Sequence, residues 1–328
     1  MRIDQIPSAI GVLLGLLSLT MANAIAQPSQ QWPTRAVKVI VPLGPGSGTD
    51  AIGRLFADRL AVRWNKPVII ENRPGGDGMI GIRSFLTAAD DHTLLFTATS
   101  VFTGHPYLHD QLPYNPTDLV PAAQVNITPV VVAVPTAINV SSMNQLVDMA
   151  RARPNALNAV GITGLQDLIF NGFLRTEKLE IAKVPYRDTV LALNDLAENR
   201  VQILLTSVTI VQSQVQAGKV RIIATTSRQR QPVIPDIPTV GEVGFPSLTV
   251  EGGSGFLVPK MMNADLINQI SADVMAVAQA DPALRERLAA MGQVLHTGPA
   301  SEFRKLVDDQ STRAADAARI LGIKAARH

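Results

Sequence analysis

Apolar residues fall into two alternating patterns along this chain. Short continuous runs such as Val37, Val39, Ile40 and Val41 read as buried strands. Apolar positions three and four apart, as at Ile52, Leu55, Phe56 and Leu60, read as helices packed by one face. Through the first half the patterns take turns. The opening strand and helix are followed by Val68–Glu71, the turn-rich Asn72–Gly78, a helix through Ile80 to Ala89 and a strand at Thr93–Thr97. This β-α-β-α-β order implies a mostly parallel sheet with right-handed crossovers. Val130–Val134 is a further apolar run, ended by Pro135.

A second alternating set begins at Ser142, which caps a helix with Gln145 three positions on as a capping box. That helix ends at Arg153-Pro154. A strand at Leu157–Val160, a loop from Gly161 to Gly164 and another helix come next. Val184-Pro185-Tyr186, a helix from Val190 to Glu198 and strands at Val201–Leu205 and Val220–Thr225 complete the set. Arg228–Pro246 is Pro-rich and irregular. The C-terminus is helical: Asn263 caps a run with Leu266, Ile267, Ile270, Val274 and Val277 on one stripe, Asp281-Pro282 opens a second helix and a third starts near Ser301. The two α/β sets predict two lobes, 27–130 with 255–328 and 131–254, joined by hinge strands near Val130–Val134 and Gly255–Val258. Ligands of open α/β sheets sit at the carboxyl ends of strands, so two facing lobes form a closing cleft.

The first residues change where this protein is expected to work. Arg2, an apolar stretch from Ile10 to Leu19 and Ala24-Ile25-Ala26 fit a secretory signal over residues 1–26, with an uncleaved anchor as the alternative. No later segment reaches 18 uninterrupted apolar residues, so the mature chain is expected to start near Gln27 and to be soluble outside the cytoplasm. The 328 residues contain no cysteine, which excludes thiolate catalysis and Cys-ligated metals and leaves stability to the core. The net charge of +2 is interspersed, without a basic block and with few aromatics, so nothing here marks a nucleic-acid partner.

The segment with the most chemistry is Val41-Pro-Leu-Gly-Pro-Gly-Ser-Gly-Thr-Asp50, a loop between strand and helix N-terminus. Unpaired backbone N–H groups converge at such a point and the helix dipole favours negative charge, so the loop suits a carboxylate or similar anion. It lacks the Gly-Lys-Ser/Thr ending of a P-loop and the spacing of a dinucleotide fingerprint. Ser47-x-x-Asp50 matches a capping box, which makes Asp50 a structural cap before it is a ligand contact, while the loop's N–H groups stay available. His105 and His109 are four apart, but Pro106 argues against a helix interior, and the pair reads as surface loop with no metal. No Gly-x-Ser-x-Gly elbow is present, and the acidic pairs Asp90-Asp91 and Asp308-Asp309 read as solvated faces. Tyr186 either offers its hydroxyl to the cleft or packs at a strand end.

Val39-Ile-Val-Pro42, Pro45-Gly46, Thr49-Asp50, Glu71-Asn-Arg-Pro-Gly75, Leu112-Pro-Tyr-Asn-Pro116, Val184-Pro-Tyr186, Ala217-Gly-Lys219 and Pro235-Asp-Ile-Pro-Thr239 occur in this order. Together they closely resemble the extracytoplasmic solute receptors of tripartite tricarboxylate transporters, the Bug receptor family. The resemblance implies a two-lobed periplasmic binding protein fold of type II, each lobe a mostly parallel sheet flanked by helices. It implies a monomeric receptor, not an enzyme, without cofactor or metal. Such a receptor binds a small carboxylate and hands it to membrane permease subunits. Periplasmic sensing through a membrane sensor is the alternative, and an exported hydrolase a remoter one.

The family's ligand carboxylate lies against the loop that is here Leu43, Gly46, Ser47, Gly48, Thr49 and Asp50, with further contacts from Thr97 and Ser100. The second-lobe positions are Thr163, Asp167, Tyr186, Asp188 and Thr206. Ser47, Thr49, Thr97, Ser100 and Tyr186 are expected to orient the acid without protonating it. This chain departs from the family pattern at several of these places. Asp167 stands where a His is usual, Arg187-Asp188 replaces Lys-Gly, Leu205-Thr206 replaces Phe-Asp, and Leu43-Gly44 replaces Phe-Pro. Two new acids near the cleft would repel a polyanion, so a ligand carrying an amine or amide beside its carboxylate is expected.

Overall fold

The apolar run at the start forms β1 (Val37–Val41), and Ser47 caps the helix that follows, α1 (Gly48–Trp64). A computed structural model describes residues 32–88, 90–162, 164–186 and 189–327; the expected signal over 1–26 lies outside them. Next come β2 (Val68–Asn72), α2 (Met79–Ala88), β3 (Thr93–Ala98), α3 (Thr99–Leu108) and β4 (Leu119–Thr128). The second set is β5 (Val130–Pro135), α4 (Met143–Ala152), β6 (Asn158–Gly161), α5 (Leu165–Thr176) and β7 (Ala182–Pro185). It continues with α6 (Thr189–Ala197), β8 (Leu204–Ser207), α7 (Val208–Gln216) and β9 (Val220–Thr225). The chain closes with β10 (Gly252–Pro259), α8 (Ala264–Ala280), α9 (Pro282–Ala290), β11 (Val294–Leu295) and α10 (Ala300–Leu321). Among the described residues, no helix is long and apolar enough to cross a membrane.

The strands form two bodies whose pairing is mixed rather than mostly parallel, in sheets of six, three and two strands. The first has six strands in the order β11-β4-β10-β3-β1-β2. β1 is parallel to β2 and β3, whereas β10 is antiparallel to β3 and β4, and β11 is antiparallel to β4. The cause is topological. β10 re-enters this body from the other one, so it approaches from the far end and is inserted against the direction of its neighbours. The same logic holds in the second body, where β5 enters between β8 and β9 and is antiparallel to both. Only β6 and β7 pair in parallel there, joined to the lead-in of β8 by a bridge between Ala159 and Ile203.

The passages between bodies are clasped together. Thr226 N–H donates to Val130 O at 2.9 Å, its hydroxyl donates to Val250 O at 2.7 Å, and Val250 N–H returns to Thr226 O at 3.0 Å. α10 then spans both bodies. Phe303 and Leu306 join the core of Ile40, Leu95 and Leu257, while Ala314 and Ala317 join that of Leu168 and Phe173 on α5. α5 and α10 approach closely because Gly172 has no side chain: a Cβ there would lie 3.0 Å from that of Ala317.

α3 corrects the expectation drawn from Pro106, because the helix runs through it. The proline falls in the last turn, where it removes the single bond to Phe102 O, and the contacts of His105 to Tyr114 and Asp77 hold the preceding residue helical. His105 is fully buried, with Nδ1 2.6 Å from Tyr114 Oη and Nε2 2.9 Å from Asp77 O. The histidine pair is therefore no surface loop. The cap assignments at Ser142, Asn263 and Asp281 hold: each side chain accepts an N–H from its helix's first turn.

Candidate ligand site

The loop from Leu43 to Asp50 is built around one buried carboxylate. Asp50, 2% exposed, accepts Gly46 N–H at 2.8 Å and Arg54 Nε at 3.1 Å on one oxygen, and Asn72 Nδ2 at 2.8 Å on the other. Asn72 Nδ2 also donates to Leu43 O at 3.0 Å, which ties the end of β2 to the loop. Ser47 Oγ accepts Asp50 N–H at 3.2 Å as the N-cap of α1. Burial opposes ionisation of Asp50, but the bonds from Arg54, Gly46 and Asn72 outweigh it and hold its pKa below the usual carboxylate value. Asp50 is a staple inside the loop, but only half of the expected capping box forms: its carboxylate takes Gly46 N–H, and Ser47 N–H goes to Gly44 O instead.

The staple has a consequence for the expected donors. Gly46 N–H points inward to Asp50 and Ser47 N–H to Gly44 O at 3.2 Å, so these two are not available to a ligand, against the expectation for the loop's N–H groups. Gly48 and Thr49 lead α1, where no intrahelical acceptor precedes their N–H groups. A Cβ on Gly44, Gly46 or Gly48 would meet no heavy atom within 4 Å, so the loop's outer face is open. Gly46 also requires its φ of +81°, a left-handed backbone that glycine adopts without cost.

Adjacent parallel strands deliver their loops to one end of the sheet, so the end of β3 lies beside this loop. There Ser100 is half-buried in the first turn of α3. Thr97 is wholly enclosed, its hydroxyl 3.5 Å from Ala98 O, and Thr99 turns inward to Gly253 O at 3.2 Å. Ser100 is thus the accessible hydroxyl of the expected pair.

In the second body, the strand ends of β6 and β8 and the start of α5 surround a cavity of about 190 Å³. Val160, Ile162, Phe170 and Leu205 give it apolar walls, and Gln166, Thr189, Thr206 and Ser207 supply polar groups. Asp167 is the one acidic lining residue among the described residues, and it is not a free charge. Lys183 on β7 forms an ion pair with Asp167 Oδ1, while Asn171 Nδ2 donates to Oδ2 at 3.1 Å. The same ammonium lies 4.8 Å over the Phe170 ring. Burial pushes the Lys183 pKa down, and Asp167 opposes that fall. The expected repulsion of a polyanion by Asp167 is therefore cancelled at its source.

Tyr186 takes the second of its two readings, packing at a strand end. Its hydroxyl donates to Asp195 Oδ2 at 2.6 Å, and its ring joins the core of the second body. Burial and the Asp195 carboxylate, which Arg200 partly offsets, push its pKa up to about 12. Thr163 and Asp188 lie outside the described residues. Lys183, Gln166, Phe170, Thr189 and Ser207 were not singled out from the sequence. A lone charge within the apolar strand Ala182–Val184 was the available signal for Lys183.

The family model for the tripartite tricarboxylate transporter family receptor matches residues 52–323. The chain belongs to this receptor family. BugT of Bordetella pertussis is 28% identical over 322 residues, covering 95% of this chain and 98% of BugT. A solved periplasmic transporter is 28% identical with a TM-score of 0.72, covering 89% of this receptor and 99% of its own chain. A protein of R. palustris solved with adipate is 25% identical with a TM-score of 0.73, with the same coverage of 89% and 99%. The receptor thus has the two-lobed periplasmic binding fold, and its family is one of substrate-binding receptors rather than enzymes.

Proposed function

We propose that the receptor captures a small carboxylic acid between the Leu43–Asp50 loop and the cavity at the start of α5, and delivers it to the permease of a tripartite transporter. The observation that carries this reading is the stapled loop: Asp50 is satisfied internally, which leaves Gly48 and Thr49 N–H and the Ser100 hydroxyl for an anion. The relative solved with adipate supports a carboxylate as the captured group. Binding contacts on both lobes favours the closed state, so the ligand shifts an open–closed equilibrium, and the permease would read closure.

The cavity supports a ligand with one carboxylate and an uncharged remainder, apolar or amide-bearing, because Asp167, the one acid among its described lining residues, is paired with Lys183. An amine-bearing ligand would now depend on Asp188 alone. The receptor is proposed to reach the periplasm through residues 1–26 and to act there as a monomer. Calorimetric titration with monocarboxylates, ω-amides, dicarboxylates, zwitterionic acids and citrate tests the reading. Saturable binding of a monocarboxylate or ω-amide supports it, and a preference for citrate overturns the proposed ligand class.

A further inference from the structure

We propose that Asp77, His105 and His109 form a binding site for a divalent transition-metal ion of the zinc class. His109 Nε2 lies 3.2 Å from Asp77 Oδ2, and His105 Nε2 lies 3.6 Å from the same oxygen. All three donor atoms fall within 4.8 Å of one another. Metal bonds of about 2.0–2.2 Å at tetrahedral angles set donor atoms roughly 3.3–3.6 Å apart, so two edges already have coordination spacing. The third edge, between the two imidazoles, closes by a small turn of the His109 ring, which is not enclosed (side chain 26% exposed). Two imidazole nitrogens and one carboxylate oxygen form a donor set that suits zinc and its neighbours and poorly suits magnesium or calcium.

The surroundings supply what a metal-binding histidine needs beyond the ion. Tyr114 Oη lies 2.6 Å from His105 Nδ1, on the far side of the ring from the site. Without metal, the hydroxyl donates to Nδ1 and the Nε2 proton is donated to Asp77 O at 2.9 Å. With metal, the His105 proton moves to Nδ1 and is donated to Tyr114, which frees the Nε2 lone pair and fixes the ring. Asp77 and His109 face solvent, which gives an ion an entry path and a water the fourth position.

The place is also informative. Asp77 sits in the loop after β2, at the sheet end that carries the Leu43–Asp50 loop. A Cβ on its neighbour Gly78 would lie 3.1 Å from Val101 on α3 and 3.5 Å from Pro42. A bound ion would fasten this loop to α3 beside the ligand loop. The inference does not depend on which acid the receptor carries.

The test uses the untagged, chelator-stripped receptor. Zn²⁺ is titrated by calorimetry, and Co²⁺ by visible absorption, whose band intensity reports a tetrahedral field. One equivalent per chain and a raised melting temperature are expected. Asp77→Asn and His109→Ala change solvent-facing side chains, so both variants should fold with an unaltered metal-free melt, and each should weaken Zn²⁺ binding at least tenfold. Absence of saturable binding, or binding unmoved by either substitution, overturns the proposal.

Discussion

Lys183 neutralises Asp167 from a neighbouring strand, 16 residues along the chain. Both side chains are less than one-quarter exposed, so the pair is screened weakly and neither charge is easily left alone. Lys183→Met should lower stability by about 1–3 kcal/mol and leave an uncompensated acid in the cavity wall. Asp167→Asn should do the reverse to specificity: the freed ammonium should draw a second carboxylate and raise dicarboxylate affinity relative to the parent. Paired thermal melts and titrations of the two variants check this. Equal dicarboxylate affinity in the parent and Asp167→Asn would remove the pair from any part in selection.

Asp50 holds its loop through bonds that only the carboxylate can make. Asp50→Ala should cost roughly 1–3 kcal/mol by leaving Gly46 N–H unpaired and removing one of the two acceptors of Asn72 Nδ2, and should weaken acid binding more than tenfold by loosening the cradle. The pH dependence follows from the depressed pKa. Because ionised Asp50 is favoured in the fold, its contribution is complete above the ordinary value of 3.8 and is lost as pH falls through the lower folded value. Acid melts of Asp50→Asn should therefore be flatter than those of the parent in this range.

Tyr186 provides a negative control. Its hydroxyl is committed to Asp195, which Arg200 also engages at 2.7 Å. Tyr186→Phe should lower stability by about 1 kcal/mol or less and leave ligand affinity unchanged. A severalfold rise in Kd in that variant would return the hydroxyl to the binding site.

Gly172 reports on the α5–α10 contact. Gly172→Val places branched carbons against Ala317, and a separation of 3.0 Å already at Cβ leaves no room for them. Overpacking of this kind costs about 1–3 kcal/mol or more. Gly172→Ala, with the Cβ alone, should cost less, and the order of their melting temperatures checks the geometry.

What was legible in the sequence was local. The caps at Ser142, Asn263 and Asp281 and the stripe of α8 rest on residues within one or two turns, and the structure keeps them. Asp50 was readable for the same reason. α3 was not, because Pro106 outweighs its neighbours in any local reading while the bonds of His105 to Tyr114 and Asp77 come from distant segments. β4 was obscured by Pro121, which sits where its register with β10 slips, and by buried Gln124 and Asn126. The direction of β10 depends on the route of the whole chain. The Lys183–Asp167 pair was hidden similarly: a residue type says that a charge is present, and only packing says whether it is cancelled.

α10 belongs to two cores at once, with Phe303 and Leu306 in one and Ala314 and Ala317 in the other. At about 1.5 Å of rise per residue, its 22 residues reach roughly 33 Å. Neither half can melt without withdrawing apolar surface from the other. In a chain with no cysteine to staple its parts, this helix couples the melting of the two cores, because opening either one strips apolar contacts from a helix that the other also uses.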